Sequence, residues 1–169
     1  MKKWRVKHKI RCQPENTAPA PITTFNELGS RYEAKDYLVE NITSELGFTT
    51  PTPIQMQAIP SLLEGHEVLA CAPTGSGKTA AFAIPMLAKL KNPSKGNHRA
   101  LVISPTRELA MQIYQQIKRL CKGKGFRVCL LTKATTPLET ASTTRRFGMW
   151  MSLFRGLVPL GGSIDWFVW

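Results

Sequence analysis

The feature that most constrains this 169-residue chain is the stretch from Ala72 to Thr79, Ala-Pro-Thr-Gly-Ser-Gly-Lys-Thr. Gly75 and Gly77 lack a Cβ, so the backbone can curl and bring successive N–H groups close to one anion. A run of good helix formers follows, and the positive end of that helix would face the same anion. The stretch therefore predicts a phosphate-binding loop. The alternative is a glycine-rich turn that happens to precede Lys-Thr.

Such a loop needs a strand before it and a helix after it. The segment 68–71 is small and apolar and predicts a short buried strand, while Ala80–Leu90 predicts a helix. In that context Lys78 can reach the β- and γ-phosphates of a nucleotide, and the Thr79 hydroxyl can bind Mg²⁺. The candidate phosphate site comprises Ala72, Pro73, Thr74, Gly75, Ser76, Gly77, Lys78 and Thr79.

Composition narrows the class of protein. With 43% hydrophobic and 20% charged residues, the chain is expected to fold as about one domain. Its net charge of +12 favours a polyanionic partner such as nucleic acid. No apolar stretch approaches the length of a membrane span, and no signal peptide is expected. The cysteines lack Cys-x-x-Cys spacing, which favours free thiols over a zinc site or disulfides: Cys12, Cys71, Cys121 and Cys129.

Residues 1–23 are predicted to be a basic, flexible arm and an extended linker. The first eleven residues carry no acid, and prolines follow at Pro14, Pro19 and Pro21. A solvated tail and a nucleic-acid contact or nuclear-targeting patch remain equally open interpretations. Ordered structure is expected from Thr24, with apolar residues at helical spacing between Tyr32 and Leu46.

A second helix start is predicted at Pro53, with Thr52 as its N-cap and an end near Leu63. Gln55 would then lie in the first turn with its side-chain amide free. An amide both donates and accepts, which matches an edge of adenine. From this chemistry alone, an ordinary capping or solvent-facing glutamine is the favoured interpretation.

A third segment joins a strand to a helix. Ala100–Ser104 is a short apolar run, and Pro105, Thr106 and Arg107 follow it into a helix with Leu109, Ile113, Ile117 and Leu120 on one face. A threonine and an arginine at a helix start suit a phosphate, although a simple N-cap with a surface arginine fits equally well. A further strand is expected over 126–132. Alternating strands and helices predict an α/β fold with a parallel sheet.

Three of these stretches together resemble the motifs of DEAD-box RNA helicases. Phe48 to Gln55 resembles the family's Q motif, Gly-Phe-x-x-Pro-Thr-Pro-Ile-Gln. Ala72 to Thr79 matches its form of the phosphate-binding loop, and Pro105 to Leu109 resembles its Pro-Thr-Arg-Glu-Leu-Ala motif. The three motifs stand in the family's order, and the resemblance extends over residues 24–132.

The resemblance implies a RecA-like, P-loop NTPase sheet with flanking helices and the cofactors ATP and Mg²⁺. It implies a partial ATP-binding domain over 24–134, an incomplete first helicase domain, followed by an atypical tail over 135–169. Gln55 would recognise adenine with Phe25 packing near the base. Lys78 and Thr79 would serve catalysis, and Thr79 the metal. Pro105, Thr106 and Arg107 would contact the RNA backbone.

A closer resemblance is to a subfamily acting in small-subunit ribosomal RNA maturation. It implies pre-ribosomal RNA as a partner and a nuclear, nucleolar location, with the cytoplasm as the alternative. The chain has no Asp-Glu-Ala-Asp, Ser-Ala-Thr or Thr-Pro-Gly-Arg sequence, although 163–168 resembles the strand that leads into the first of these. We therefore expect a truncated helicase with little turnover alone. The alternative is a non-catalytic fragment that binds nucleotide and RNA.

Overall fold

The structure is a computed structural model that describes residues 2–94, 99–131, 149–153 and 166–168, the last two ranges by their backbone alone. It divides into two compact units, Met1–Lys91 and Asn92–Trp169. The helices are α1 Lys2–Lys7, α2 Glu27–Tyr32, α3 Asp36–Ser44, α4 Pro53–Leu63, α5 Lys78–Leu90 and α6 Arg107–Leu120. The strands are β1 Ala100–Ser104, β2 Val128–Leu131, β3 Met149–Leu153 and β4 Trp166–Val168.

The first unit is built around the packing of α4 against α5, which α3 also contacts. Ile59 of α4, Ile84 of α5 and Ile42 of α3 are fully buried. The α4 helix begins and ends where the sequence predicts, because Pro53 suits a first helical turn and Thr52 precedes it in an extended conformation. Pro60 lies within α4 without ending it.

The N-terminal arm is folded, so the prediction of a flexible segment is wrong for this part of the chain. Residues 2–7 form α1, and Arg5 is only 4% exposed. Its guanidinium hydrogen-bonds to Gln57 of α4 and to backbone carbonyls at residues 15, 18 and 19. The basic composition predicts a solvated segment, but Arg5 is buried and makes four hydrogen bonds. Because a buried cation without these acceptors would be costly, the bonds stabilise the folded arm.

The segment 68–71 is not the buried strand that its composition predicts. Val68 is 38% exposed and Leu69 is 98% exposed, and the segment has no strand assignment. The described strands pair among themselves in the order β2-β3-β1-β4. A strand exists through hydrogen bonds to a neighbour, so apolar composition alone does not produce one.

The second unit contains a wholly parallel sheet, as the alternation of strands and helices predicts. The β1 strand lies between β3 and β4, and β2 pairs with the other edge of β3. The α6 helix contacts β1, β2 and β3. Its buried face carries Ala110, Ile113, Ile117 and Leu120. Leu109, which the sequence placed on that face, is 37% exposed, because Ala110 takes the buried position instead.

The predicted strand at 126–132 corresponds to β2, and part of 163–168 forms β4. The rest of the tail predicted over 135–169, apart from β3, lies outside the described residues. Among the described helices, none is both long and apolar enough to cross a membrane.

Candidate nucleotide-binding site

The candidate phosphate loop adopts a conformation that depends on glycine. Gly75 has a φ of 76° and Gly77 a φ of 87°, both in the left-handed region that residues with a Cβ rarely adopt. Gly77 is the N-cap of α5, which begins at Lys78. The unpaired N–H groups and the positive end of the helix dipole therefore lie at the end of the loop, as anion binding requires.

Two side chains at the start of α4 hold this loop. The Gln55 Nε2 donates to the Gly77 carbonyl oxygen at 3.1 Å, and the Thr52 Oγ1 donates to the Ser76 carbonyl oxygen at 2.7 Å. Gln55 Oε1 also accepts from the Thr52 backbone N–H at 3.0 Å. A Cβ added to Gly77 would overlap the Gln55 amide nitrogen. The loop and the helix start therefore form one hydrogen-bonded assembly.

The expectation that the Gln55 amide is free is wrong, because this amide is 1% exposed and bonded on both sides. The capping interpretation explains one of its bonds, and the bond to Gly77 adds a role that the sequence did not predict. A glutamine amide offers two donor hydrogens and an acceptor oxygen with two lone pairs. One donor hydrogen and one acceptor lone pair are therefore unused, the pair that an adenine edge requires, but the buried side chain presents little surface to a base in this structure. The role of Gln55 in adenine recognition stays a prediction.

Lys78 closes the loop from the helix side. Its Nζ donates to the carbonyl oxygens of Ala72 and Pro73, each at 2.7 Å, and the residue is exposed. A nearby Ser76 hydroxyl oxygen is buried without a hydrogen-bond partner among the described residues. An exposed ammonium, a hydroxyl without a partner among the described residues and a backbone that depends on glycine suit a phosphate group. The Thr79 hydroxyl, one residue into α5, is of the oxygen class that Mg²⁺ prefers.

Phe25 lies in the core and packs against Phe48, with ring centroids 6.5 Å apart and an interplanar angle of 24°. Since Phe25 is only 3% exposed, little of its ring is available to a base. Its place near adenine stays a prediction. The buried Phe25 ring packs against the half-buried Phe48, which precedes the Thr52–Gln55 turn.

A carboxylate network holds the chain on both sides of Phe25. The Glu27 carboxylate accepts from the Thr23 backbone N–H at 2.6 Å and its hydroxyl at 2.8 Å, and it pairs with Arg31 at 2.9 Å. Burial works to raise the pKa of Glu27, but the hydrogen bonds from Thr23, Arg31 and Thr24 outweigh it and lower the pKa to about 2. Burial, followed by a hydrogen bond to Glu64, raises the pKa of Tyr32 to about 12.

A cavity of about 660 Å³ lies beside the phosphate loop within the first unit. The folded arm lines one side from His8 to Pro19, and α4 with the exposed segment 66–73 lines the other. The sequence did not predict that the arm would approach the loop. The residue that could have indicated this approach is Gln57, two residues after Gln55. Its side-chain amide oxygen accepts from Arg5 at 2.9 Å.

The candidate RNA residues lie in the second unit, directly after β1. Pro105, Thr106 and Arg107 are all exposed. The Thr106 Oγ1 accepts from the Leu109 backbone N–H at 3.2 Å and so caps α6, which supports the capping interpretation for this residue. Among the described residues, no acceptor lies within hydrogen-bond distance of the Arg107 guanidinium, so this cation remains available to a phosphate.

A family model described as DEAD/DEAH box helicase matches residues 52–150. The chain is 50% identical over 145 residues to the probable ATP-dependent RNA helicase DDX52 of Bos taurus, covering 86% of this chain and 23% of that relative. It is 55% identical over 118 residues to DEAD-box ATP-dependent RNA helicase 57 of Arabidopsis thaliana, covering 70% and 22%.

Among solved structures, the yeast DEAD-box splicing factor Prp28 matches with a TM-score of 0.77 and 25% identity, over 90% of this chain and 36% of that chain. The chain spans less than a quarter of the length of the two curated relatives. In the part of the chain that the structure describes, no group of three His, Cys, Asp or Glu residues could hold a metal ion.

Proposed function

This chain belongs to the DEAD/DEAH box helicase family and has a RecA-like α/β fold, and we propose that it binds ATP at the loop and RNA after β1. The main support for nucleotide binding is the conformation of the loop. Two glycines in the left-handed region lead into the start of α5, and the side chains of Thr52 and Gln55 at the start of α4 bind the carbonyl groups of Ser76 and Gly77. A glycine-rich turn that leads into a helix start is the arrangement whose backbone N–H groups bind an anion.

Lys78 and Thr79 are the residues that would hold the triphosphate and its metal ion. Lys78 now donates to the carbonyl oxygens of Ala72 and Pro73, and a β- or γ-phosphate offers a charged acceptor in their place. The Thr79 hydroxyl would bind Mg²⁺. When bound, this ion neutralises charge on the transferring phosphoryl group. The buried Ser76 hydroxyl, which lacks a partner among the described residues, is a further donor for the phosphates.

The adenine part rests on Gln55. Its two unused hydrogen-bonding positions match one donor and one acceptor on the adenine edge. Since the same amide holds Gly77, base recognition and phosphate binding share one side chain. Phe25 contributes through Phe48, by fixing the chain that leads into the Thr52–Gln55 turn.

RNA binding rests on the exposed turn at Pro105–Arg107 and on the basic balance of the chain. Arg107 presents a planar fork of donors that suits a phosphate oxygen pair. Such contacts position RNA without reading its sequence. Pre-ribosomal RNA as the target and a nucleolar location belong to the proposal through the motif resemblance alone.

We expect the chain to bind nucleotide and RNA without appreciable ATP turnover. The chain contains no Asp-Glu-Ala-Asp sequence, so no water-positioning carboxylate can be assigned to it, and no arginine finger is identified. Contacts that hold the ground state and the transition state alike do not accelerate chemistry, and an arginine finger alone is worth about 10³–10⁵ in rate. This favours the alternative of a non-catalytic nucleotide- and RNA-binding fragment for the 169-residue chain tested by itself.

Titration of fluorescent ADP tests the nucleotide part. Lys78→Ala should weaken ADP binding by about tenfold to a hundredfold, because a charge-assisted contact is typically worth about 1.5–3 kcal/mol. Lys35→Ala, which removes an exposed cation in the same unit, is the control and should bind as wild type does. Equal affinity in Lys78→Ala and wild type would refute the proposed site.

Phosphate release tests the statement on turnover. The purified chain should release little phosphate from ATP with or without saturating RNA. RNA-stimulated release at about 1 s⁻¹, an ordinary enzyme rate, that disappears in Lys78→Ala would restore a complete ATPase. The Lys78→Ala sample also measures contaminating ATPase in the preparation.

A further inference from the structure

The N-terminal arm is anchored by one buried cation. Arg5 Nε donates to the Gln57 Oε1 at 2.9 Å, and its Nη atoms donate to the carbonyl oxygens of Glu15 at 3.2 Å and of Ala18 and Pro19 at 2.8 Å. Four of the five N–H donors of a guanidinium are thereby used. Arg5 fastens α1 and the chain at 15–19 to α4 at the same time.

The other cations of the arm face outward. Those exposed on residues 2–11 are Lys2, Lys3, Lys7, Lys9 and Arg11. Lys2 forms an ion pair with Glu15 at 3.3 Å, but with side chains 79% and 46% exposed this pair contributes little. No other acid contacts these five side chains among the described residues. Lys3 and Lys7 lie four residues apart on α1 and so share one face, with Cβ atoms about 6 Å apart.

An aromatic pair lies among these cations. The rings of Trp4 and His8 stack with centroids 4.0 Å apart and an interplanar angle of 30°, and both residues are partly exposed. Proteins that bind single-stranded nucleic acid combine two elements: cations that contact the backbone phosphates, and aromatic rings on which the bases stack. A solvated tail would supply the charges, but it would supply neither a fixed spacing nor a formed ring stack.

We propose that residues 2–11, held in place by Arg5, form a basic platform that binds the phosphates of single-stranded RNA, with Trp4 available to stack on a base. This basic platform adds an RNA contact to the one at Pro105–Arg107, and it rests on the proposed function of the chain in binding RNA. An anionic membrane is the competing partner for such a segment. It is less favoured because α1 has only six residues, with Val6 as its exposed large aliphatic side chain.

The test compares two pairs of charge-removing substitutions in the full chain. The platform pair is Lys3→Gln with Lys7→Gln, and the control pair is Lys35→Gln with Lys91→Gln, exposed cations of the same unit. Affinity for a fluorescent single-stranded RNA is measured over a salt series. Each phosphate contact contributes about 0.7 to the slope of log affinity against log salt concentration. The platform pair should therefore lower the slope by about 1.4, and the control pair by much less.

Trp4→Leu supplies an independent readout. It should weaken single-strand binding several-fold and leave the salt slope unchanged, because stacking releases no counterions. Binding to a duplex should be less affected by Trp4→Leu. Equal loss on single strands and duplexes would refute the stacking role.

Three further measurements distinguish a failure of the platform from a failure of the proposed function and from membrane binding. ADP affinity should be unchanged in the platform pair, so failure of ADP binding in wild type counts against the proposed function and not against the platform. If Arg107→Gln weakens RNA binding while the platform and control pairs give the same slope, RNA binding stands and the platform is refuted. Binding to vesicles of anionic phospholipid that is lost in the platform pair, with RNA binding intact, would overturn the proposal in favour of a membrane surface.

Discussion

The Gln55 side-chain amide donates to the carbonyl oxygen of Gly77 across 3.1 Å, which joins the first turn of α4 to the N-cap residue of α5. The two residues are 22 positions apart, and the glutamine is almost completely buried. Because the same amide also accepts from the Thr52 backbone N–H, we expect a substitution at Gln55 or at Gly77 to alter the phosphate loop. The first two predictions follow from this contact.

Gly77→Ala should abolish most nucleotide binding. The new methyl group would overlap the Gln55 amide nitrogen, and alanine at a φ of 87° adds strain of about 1–2 kcal/mol. Gly47→Ala is a matched control, because Gly47 also has a positive φ but open space around its Cβ position. Both variants should lose stability in urea denaturation, and only Gly77→Ala should lose ADP affinity, by tenfold or more. Equal ADP affinity in the two variants would contradict the contact.

Gln55→Ala should reduce the preference for adenine. ADP and GDP affinities should converge, because the amide that matches the adenine edge is gone. The free energy of unfolding should fall by about 1–3 kcal/mol, since the Thr52 N–H and the Gly77 carbonyl lose their partner. Thr52→Val is the comparison, because it removes the bond to the Ser76 carbonyl and keeps the amide. It should weaken both nucleotides alike. An unchanged ADP-to-GDP ratio in Gln55→Ala would refute the assignment.

Arg5→Met should destabilise the first unit through the groups that it leaves unpaired. The Gln57 amide oxygen and the carbonyl groups at 15 and 18 lose this donor, whereas the Pro19 carbonyl keeps the Gln57 Nε2 as a donor, and the expected cost is about 2–4 kcal/mol in urea denaturation. Lys7→Met, two residues along and exposed, should stay within about 0.5 kcal/mol of wild type. A double-mutant cycle with Gln57→Leu should give a coupling energy above 0.5 kcal/mol. Additive effects would mean that the bond contributes nothing.

Acid should unfold the chain in part through Glu27. Its pKa in the folded chain is about 2, lowered from a reference of 4.5, so the carboxylate contributes stability that is complete above pH 4.5. That contribution is lost as the pH falls from about 4.5 to about 2. In Glu27→Gln the stability should therefore fall less steeply over this interval, whereas Glu40→Gln, an exposed carboxylate on α3, should follow wild type. Parallel pH profiles for wild type and Glu27→Gln would refute the network.

The sequence by itself determined the local elements with strong end signals. The start of α4 follows from Thr52-Pro53, the position of β1 follows from the short apolar run at Ala100–Ser104, and the glycines by themselves permit the positive φ angles of the loop. The family likewise follows from three short motifs. These are local properties, because helix caps, glycine conformations and apolar runs act through residues close in the chain.

Only the tertiary structure decided which polar groups meet. The bonds from Arg5 to Gln57 and from Gln55 to Gly77 join residues 52 and 22 positions apart, and no periodicity predicts them. The same reason explains the errors at 68–71 and in the arm. A strand needs a hydrogen-bonded neighbour, which 68–71 does not have in the described structure, and a basic segment stays flexible only if none of its cations finds buried acceptors. Those partners lie far along the sequence, so only the folded chain reveals whether they are present.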